Sequence, residues 1–366
     1  MKRAILHIGT EKTGSTSIQQ FLFANRERLD RDGRLFPASA GYLSNHKLVV
    51  WAKERPEDDI VAMATGDSGA ESLADWKDGF VVDHCNEVLP WLAARRRGAT
   101  VIYSSEHLQS RLVAASEIRR VGRLLRPMYD RIEVVVYLRR QDRYAMSAHG
   151  TSVRAGELRP FDFSTVHGGG PYYDYLALLQ KWAAVFGDEA MTVRVFEPAR
   201  LVGGDVVADF VELAGLGTRW PRSPYALPES ENGALSLSAE AALRTFNALD
   251  PGDPRHGGED PAALRRYLVA ALQGHEDGLA RPKPSRAAAL EFYEPFREPN
   301  AELARRWLGG RGFDERFDDY PESAREACAA PDGEALLDTL LARRRQATGA
   351  APGARSGADA GADAGA

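Results

Sequence analysis

The chain has 366 residues, of which 44% are hydrophobic and 27% charged, as is typical of a soluble globular protein with a full core. Its formal net charge of −5 gives no reason to expect nucleic acid or an anionic membrane as a partner. Two cysteines exclude a disulfide framework and have no metal-ligand spacing, so we expect a reducing, cytoplasmic location.

The first predicted element is a strand over Arg3–Ile8, and a Gly-rich turn and a predicted helix over Ser17–Leu29 follow it. Gly9, Glu11 and Lys12 interrupt the apolar run, which is therefore too short for a signal peptide or a membrane span. A strand, a Gly-rich loop and a helix in this order are typical of sites where backbone N–H groups bind an anion.

The loop reads His7-Ile-Gly-Thr-Glu-Lys-Thr-Gly-Ser-Thr-Ser17 and differs from a nucleoside-triphosphate P-loop in the place of its lysine. In that P-loop, G-x-x-x-x-G-K-[ST], lysine follows the second glycine directly. Gly9 and Gly14 keep the spacing, but Ser15 takes the lysine position and Lys12 lies inside the loop. The pattern therefore indicates a relative of the P-loop that binds a differently charged group.

The second and third predicted strands, Thr100–Ser104 and Ile132–Leu138, both end in polar residues. The segments after them read Ser104-Ser105-Glu106-His107 and Arg139-Arg140-Gln141-Asp142. Ligands of open α/β sheets bind beyond the carboxyl ends of the strands, so we expect these segments and the first loop to meet in one crevice.

Arg139 closes the third strand, and Ser147 follows it about two helical turns into the next predicted helix. A guanidinium fork and a hydroxyl suit a terminal phosphate. Taken alone, Arg139 could equally cap the strand and Ser147 face solvent on a helix. Combined with the Lys12 loop, the phosphate interpretation is favoured.

Strands alternate with helices along the rest of the first two thirds of the chain. The fourth predicted strand is Met191–Phe196, between predicted helices over Asp174–Phe186 and Asp205–Ala214. This alternation predicts an α/β, three-layer fold with a central parallel sheet flanked by helices.

From about residue 221 the strand signal fades, and we expect a helical C-terminal part packed on the sheet, with helices over Ser238–Leu249, Pro261–Leu272 and Ser285–Leu308. We expect residues 1–346 to form one domain and the Ala/Gly/Asp-rich residues 347–366 to be a disordered tail.

Three features together resemble the sulfotransferases that use 3′-phosphoadenylyl sulfate (PAPS), and most of all the bacterial branch related to carbohydrate sulfotransferases. They are residues 12–17, the Arg139…Ser147 spacing, and Val195-Phe196-Glu197 near the end of the fourth strand. The resemblance covers roughly residues 3–315. It implies a P-loop-like fold, with PAPS as cosubstrate and no metal.

The resemblance also implies roles for individual residues. The residues that would bind the 5′-phosphosulfate are Lys12, Thr13, Gly14, Ser15, Thr16 and Ser17, and Lys12 would also stabilise the leaving phosphate. The residues that would bind the ribose 3′-phosphate are Arg139 and Ser147. The R-K-G-x-x-G-x-W-K motif of the cytosolic branch has no counterpart here, so the adenine contacts stay unassigned.

An acceptor hydroxyl must lose its proton as it attacks, so a general base is needed. Glu106, directly after the second strand, is the first choice, and His107 is the alternative. Tyr172, Tyr173 and Tyr175 are expected in an aromatic core rather than in an acceptor groove.

The function expected from the sequence is sulfuryl transfer from PAPS to a hydroxyl of a carbohydrate, glycolipid or related small molecule, releasing adenosine 3′,5′-bisphosphate. Two alternatives stay open: a P-loop phosphotransferase, against which the missing lysine at position 15 counts, and a non-catalytic nucleotide-binding protein of the same fold.

Overall fold

A computed structural model describes residues 1–55, 59–65, 72–95, 98–166, 172–216, 225–226, 235–276, 283–323 and 333–348. The chain divides into two compact units. The first comprises Met1–Ala145, Phe163–Ser230 and Ala287–Asp318, and the second comprises Met146–Asp162, Glu231–Arg286 and Asp319–Ala366. The extent of a single domain over residues 1–346 stays a prediction.

The first unit is built on a five-stranded parallel sheet. Its strands are β1 (Arg3–His7), β2 (Arg34–Leu35), β3 (Thr100–Ser104), β4 (Arg131–Leu138) and β5 (Met191–Val195), in the order β2-β3-β1-β4-β5. Strand β1 therefore lies between β3 and β4. All five residues of β3 are buried, as expected of a parallel strand covered on both faces.

Helices connect the strands and continue beyond the sheet. In chain order they are α1 (Ser15–Ala24), α2 (Arg26–Arg31), α3 (His46–Ala52), α4 (Asp59–Thr65), α5 (Leu73–Ala93), α6 (His107–Arg111), α7 (Ala115–Leu125), α8 (Gln141–Ala155), α9 (Tyr175–Phe186), α10 (Val206–Leu213), α11 (Leu237–Asn247), α12 (Pro261–Leu272), α13 (Arg286–Trp307) and α14 (Gly333–Thr348). None of the helices in the described part of the chain is long and apolar enough to cross a membrane.

Helices of the first unit cover both faces of the sheet because successive strand side chains point to opposite faces. Ile5 of β1 packs with Phe21 of α1 and Phe210 of α10. Leu6 belongs to the other cluster, with Trp182 of α9. The predicted α/β fold, with a central parallel sheet between layers of helices, is confirmed.

The second unit has its own hydrophobic core, in which leucine is the commonest residue. Leu243 of α11, Leu268 of α12 and Leu337 of α14 are completely buried in it. Helix α14 ends at Thr348, so the predicted tail begins inside this helix, and residues 349–366 lie outside the described part of the chain.

Two details differ from the sequence prediction. The helix predicted over Ser17–Leu29 is interrupted at Asn25, whose backbone is non-helical at φ −107° and ψ 14° and whose side-chain Nδ2 donates to the Phe21 carbonyl at 2.8 Å. Strand β2 is not predicted, because two residues are too short to show a period.

Candidate functional site

The segments that follow β3, β1 and β4 meet at one edge of the sheet. Gly9, in the first loop, packs on the backbone of Glu106, since a Cβ built on Gly9 would lie 3.1 Å from the Glu106 Cα. Arg139 donates from Nη1 to the Lys12 carbonyl at 3.2 Å. The structure thus brings together the first loop, Glu106 and Arg139, as the sheet order requires.

The first loop is held by its own hydroxyl groups. Thr13 Oγ1 and Ser15 Oγ both donate to the Thr10 carbonyl, at 2.6 and 2.9 Å, and both residues are buried. Thr10 Oγ1 in turn donates to the Tyr137 carbonyl of β4 at 3.0 Å. The hydroxyls of Thr13 and Ser15 therefore brace the loop, which leaves their backbone N–H groups, rather than their side chains, to serve a ligand.

Three residues of this loop have a positive φ, and Gly9, at 102°, is the first of them. Gly14, directly before α1, has φ 79° and ψ 20°, and a Cβ there would lie 2.6 Å from Val206 Cγ1. Lys12 has φ 62°. A side chain makes this region unfavourable by roughly 1–2 kcal/mol, and such strained residues cluster at functional sites.

The N-terminus of α1 and two cationic residues lie in or beside the same loop. The first N–H groups of a helix have no acceptor within it, and Gly14, before Ser15, has no side chain to cap them. Thr16 is exposed and Ser17 half-buried on this first turn. Together with Lys12 and Arg139, this end of the helix favours an anion.

Arg139 is half-buried and held from two sides. Its guanidinium carbon lies 5.7 Å from the centre of the Phe196 ring, and its carbonyl accepts from the Tyr175 hydroxyl at 2.7 Å. Phe196 also lies beneath Gly14, at 3.5 Å from a Cβ built there. Phe196, directly after β5, thus packs against both Gly14 and Arg139.

The neighbouring Arg140 is structural. It is 1% exposed and forms a paired contact with Asp142, with Nε–Oδ1 at 2.7 Å and Nη2–Oδ2 at 2.9 Å. Its guanidinium also stacks 3.8 Å from the centre of the Phe317 ring. A buried charge that is paired in this way has its hydrogen-bonding capacity used within the fold.

Glu106 and His107 lie at the start of α6, just beyond β3. Glu106 is half-buried, and its Oε2 accepts from Gln19 Nε2 of α1 at 2.6 Å. His107 opens α6, and its Nδ1 is buried without a hydrogen-bond partner among the described residues. Of the two candidate bases, Glu106 is the one in contact with the first loop and anchored to α1.

A buried histidine, His7, precedes the loop. It is fully buried, and burial lowers its pKa from 6.5 to about 3. Its Nδ1 shares a hydrogen bond with Ser104 Oγ at 2.8 Å, and its ring packs against Tyr137 and Phe210. The ring is therefore neutral, and it belongs to the buried core at the end of β1, directly before the loop.

The three tyrosines singled out in the sequence lie in different surroundings. Tyr173 and Tyr175 are buried among aromatic side chains, as predicted. Tyr172 is half-buried and stacks on Tyr144, with ring centres 6.3 Å apart. Burial, and next the negative charge of Glu11, raise the pKa of both Tyr144 and Tyr172. Glu11 of the first loop therefore lies near this aromatic pair.

Ser147 belongs to the second unit, as do residues 146–155 of α8. It is half-buried, and its role stays a prediction from the sequence. His149, on the same helix, lies 3.6 Å from Glu240 and packs against Phe161. Across the described ranges, no group of three or more His, Cys, Asp or Glu residues is arranged to hold a metal ion.

The sequence analysis missed Gln19 and Tyr144. For Gln19 part of a signal was present: two amides, Gln19 and Gln20, lie between Ile18 and Phe21, and the structure shows that Gln19 is the buried one. A buried amide needs a hydrogen-bond partner, which marks such a position. For Tyr144 no such signal exists, because its neighbours come from distant parts of the chain.

Comparisons with known proteins give limited similarity. No family model matches the chain. An uncharacterized protein of Archaeoglobus fulgidus is 27% identical over 177 residues, 48% of this chain and 46% of that protein, so the match spans about half of its length. A sulfotransferase from Alicyclobacillus acidocaldarius aligns at 16% identity with a TM-score of 0.35, over 76% of this chain and 98% of that one.

Proposed function

We propose that the chain is a sulfotransferase that moves the sulfuryl group of PAPS to a hydroxyl of a carbohydrate, glycolipid or related small molecule. One observation carries the proposal: the Lys12 loop contacts Arg139 on one side and Glu106 on the other. A cationic anion-binding loop and a carboxylate within one site are what transfer of an anionic group to a hydroxyl requires.

The residues of the first unit suit an anionic donor. Lys12 and Arg139 supply positive charge, and the first turn of α1 supplies backbone N–H groups. The position of the P-loop lysine holds Ser15, whose hydroxyl is bonded to the Thr10 carbonyl. That arrangement favours a sulfonated nucleotide over ATP, because phosphoryl transfer by P-loop enzymes depends on the lysine at that position.

In the proposed reaction Glu106 accepts the proton of the acceptor hydroxyl as its oxygen attacks sulfur. The new O–S bond forms while the bond between sulfur and the phosphate oxygen breaks. Lys12 stabilises the negative charge that builds on the leaving phosphate, and adenosine 3′,5′-bisphosphate is released. Arg139 binds and orients the nucleotide. His107 is the alternative base.

The acceptor class rests on the resemblance and on the aromatic pair beside the loop. Tyr172 is half-buried and stacks on Tyr144, which is itself buried, and burial and next the negative charge of Glu11 raise the pKa of both hydroxyls. Aromatic surfaces with a few polar groups are typical of sites for small organic ligands. A sugar or glycolipid hydroxyl fits such a surface. The two cysteines, which make no disulfide framework, favour a reducing, cytoplasmic compartment.

Transfer of label from PAPS to a panel of sugars, glycolipids and phenols tests the proposal directly. The full chain should release adenosine 3′,5′-bisphosphate without added metal. Lys12→Ala should lose turnover by about 100-fold or more, since charge stabilisation at the leaving group is worth several kcal/mol. Lys2→Ala, which removes one exposed ammonium, is the matched control and should keep normal turnover.

Two outcomes would contradict the proposal. Turnover of ATP with Mg²⁺ and none of PAPS would assign the chain to the phosphotransferases. Calorimetric binding of adenosine 3′,5′-bisphosphate with no transfer to any acceptor would make it a nucleotide-binding protein without this chemistry. Unchanged turnover in Lys12→Ala would remove that residue from the mechanism.

A further inference from the structure

Gln19 lies on α1 and contacts Glu106 in the turn after β3. The residue is 3% exposed, and its Nε2 donates to Glu106 Oε2 at 2.6 Å. Its neighbours on the helix, Ile18 and Phe21, are completely buried in the core beneath α1. An amide at such a position is unfavourable unless it is hydrogen-bonded, and the carboxylate of Glu106 provides that bond.

The backbone of Glu106 is fixed independently of its side chain. Its carbonyl accepts from the N–H groups of Gln109 and Ser110 in α6, at 3.1 and 3.2 Å. On the opposite side it packs against Gly9 of the first loop. The side-chain torsions are therefore the remaining freedom of Glu106, and the bond from Gln19 restricts them.

We propose that Gln19 is a positioning residue that holds the Glu106 carboxylate towards the first loop. One carboxylate oxygen accepts from the Gln19 amide, and the other is then oriented to take the acceptor proton. This inference rests on the proposed function, in which Glu106 is the base. A bond between an amide and a carboxylate is charge-assisted and stronger than a neutral one, so it can keep one rotamer.

If the hydrogen bond between Gln19 and Glu106 only stabilised the packing of α1 and α6, the effect of losing Gln19 on turnover would depend differently on residue 106. If Gln19 only stabilised the fold, its loss would lower turnover by the same factor whether or not residue 106 were a base. If it acts through Glu106, its loss should have no further effect once the base has been removed. A double-mutant cycle separates the two cases.

The cycle uses Gln19→Met, Glu106→Gln and the double variant, with Gln20→Met on the same helix as the matched control. Methionine keeps the length of the side chain and removes the donor. Gln19→Met should lower kcat by about 10- to 100-fold, the equivalent of a hydrogen bond to a charged group. The KM for PAPS should stay within about twofold, because the group does not touch the nucleotide.

In the Glu106→Gln background, adding Gln19→Met should change the rate by less than about twofold. Gln20→Met should retain turnover close to that of the unaltered chain. An equal loss from Gln19→Met in both backgrounds, or a change confined to the KM for PAPS, would overturn the positioning role.

A measurement without substrate keeps this inference separate from the proposed function. In the ¹⁵N-labelled full chain, the side-chain amide signal of Gln19, identified by its absence in Gln19→Met, should shift when Glu106 is replaced by Ala. No shift would refute the contact whatever the activity. A shift in a chain that transfers nothing from PAPS would retain the contact and refute only the proposed function.

Discussion

Replacing Gly14 by Ala should destabilise the protein through two separable effects. The backbone of Gly14 is left-handed, at φ 79°, which is unfavourable for alanine by roughly 1–2 kcal/mol. The added Cβ would also lie 2.6 Å from Val206 Cγ1 of α10, and overpacking of this kind is unfavourable by about 1–3 kcal/mol. The free energy of unfolding should therefore fall by about 2–5 kcal/mol.

Urea denaturation of four chains separates these effects: the unaltered protein, Gly14→Ala, Val206→Ala and the double variant. Val206→Ala alone should be destabilised by about 1.6 kcal/mol or more, from the two buried carbon atoms that it removes. Because it also makes room for the new methyl group, the double variant should be more stable than the sum of the single effects by about 1–3 kcal/mol. The part of the destabilisation that comes from the left-handed φ of residue 14 should persist in the double variant.

Gly79→Ala on α5 is the matched control. A Cβ built on Gly79 meets no atom within 4 Å, and the residue lies within a helix, so the same substitution should stabilise the protein by about 0.4–1 kcal/mol. Additive effects of Gly14→Ala and Val206→Ala would refute the close approach of the loop to α10. Equal effects of the substitutions at Gly14 and Gly79 would refute the left-handed conformation.

Three further predictions concern the site. Arg139→Lys should weaken binding of adenosine 3′,5′-bisphosphate about tenfold, measured by calorimetry, because lysine lacks the planar fork; unchanged affinity would remove Arg139 from the nucleotide site. Glu106→Gln should lower kcat by about 100-fold while His107→Gln retains it, and the reverse result would make His107 the base. For His7, whose pKa is about 3 in the fold and 6.5 when exposed, unfolding takes up a proton between these values. The free energy of unfolding should therefore fall as the pH drops below 6.5, by about 1.4 kcal/mol per pH unit. Urea titrations between about pH 4.5 and 6 should show that His7→Gln removes this part of the dependence of stability on pH. An unchanged dependence would mean that His7 is protonated in the fold.

Several elements of both units follow from local sequence. The apolar runs of β1, β3 and β4 predict strands close to their observed bounds, because a strand buried on both faces needs continuous apolar side chains. Strand β5, which ends the strand order, is predicted instead by its alternation of apolar and polar residues. Helix α12 begins and ends at the predicted residues, since Pro261 fixes its first turn and Asp260 caps it.

Some features escape such patterns because distant residues decide them. The end of α1 depends on Asn25, whose side chain bonds both the Phe21 carbonyl and the Ala226 carbonyl. The second bond joins residues that are 201 positions apart. Strand β2 exists through its pairing with β3 and has no pattern of its own.

The sequence by itself determined the chemical character of the site: a loop with Lys12 displaced from the P-loop position, a carboxylate after one strand and an arginine after another. These are local facts about residue type and spacing. Only the tertiary structure decided which side chains serve the fold and which face the loop. Thr13 and Ser15 turn their hydroxyls inward to the Thr10 carbonyl, and Gln19 reaches Glu106, because strands far apart in the chain become neighbours in the sheet.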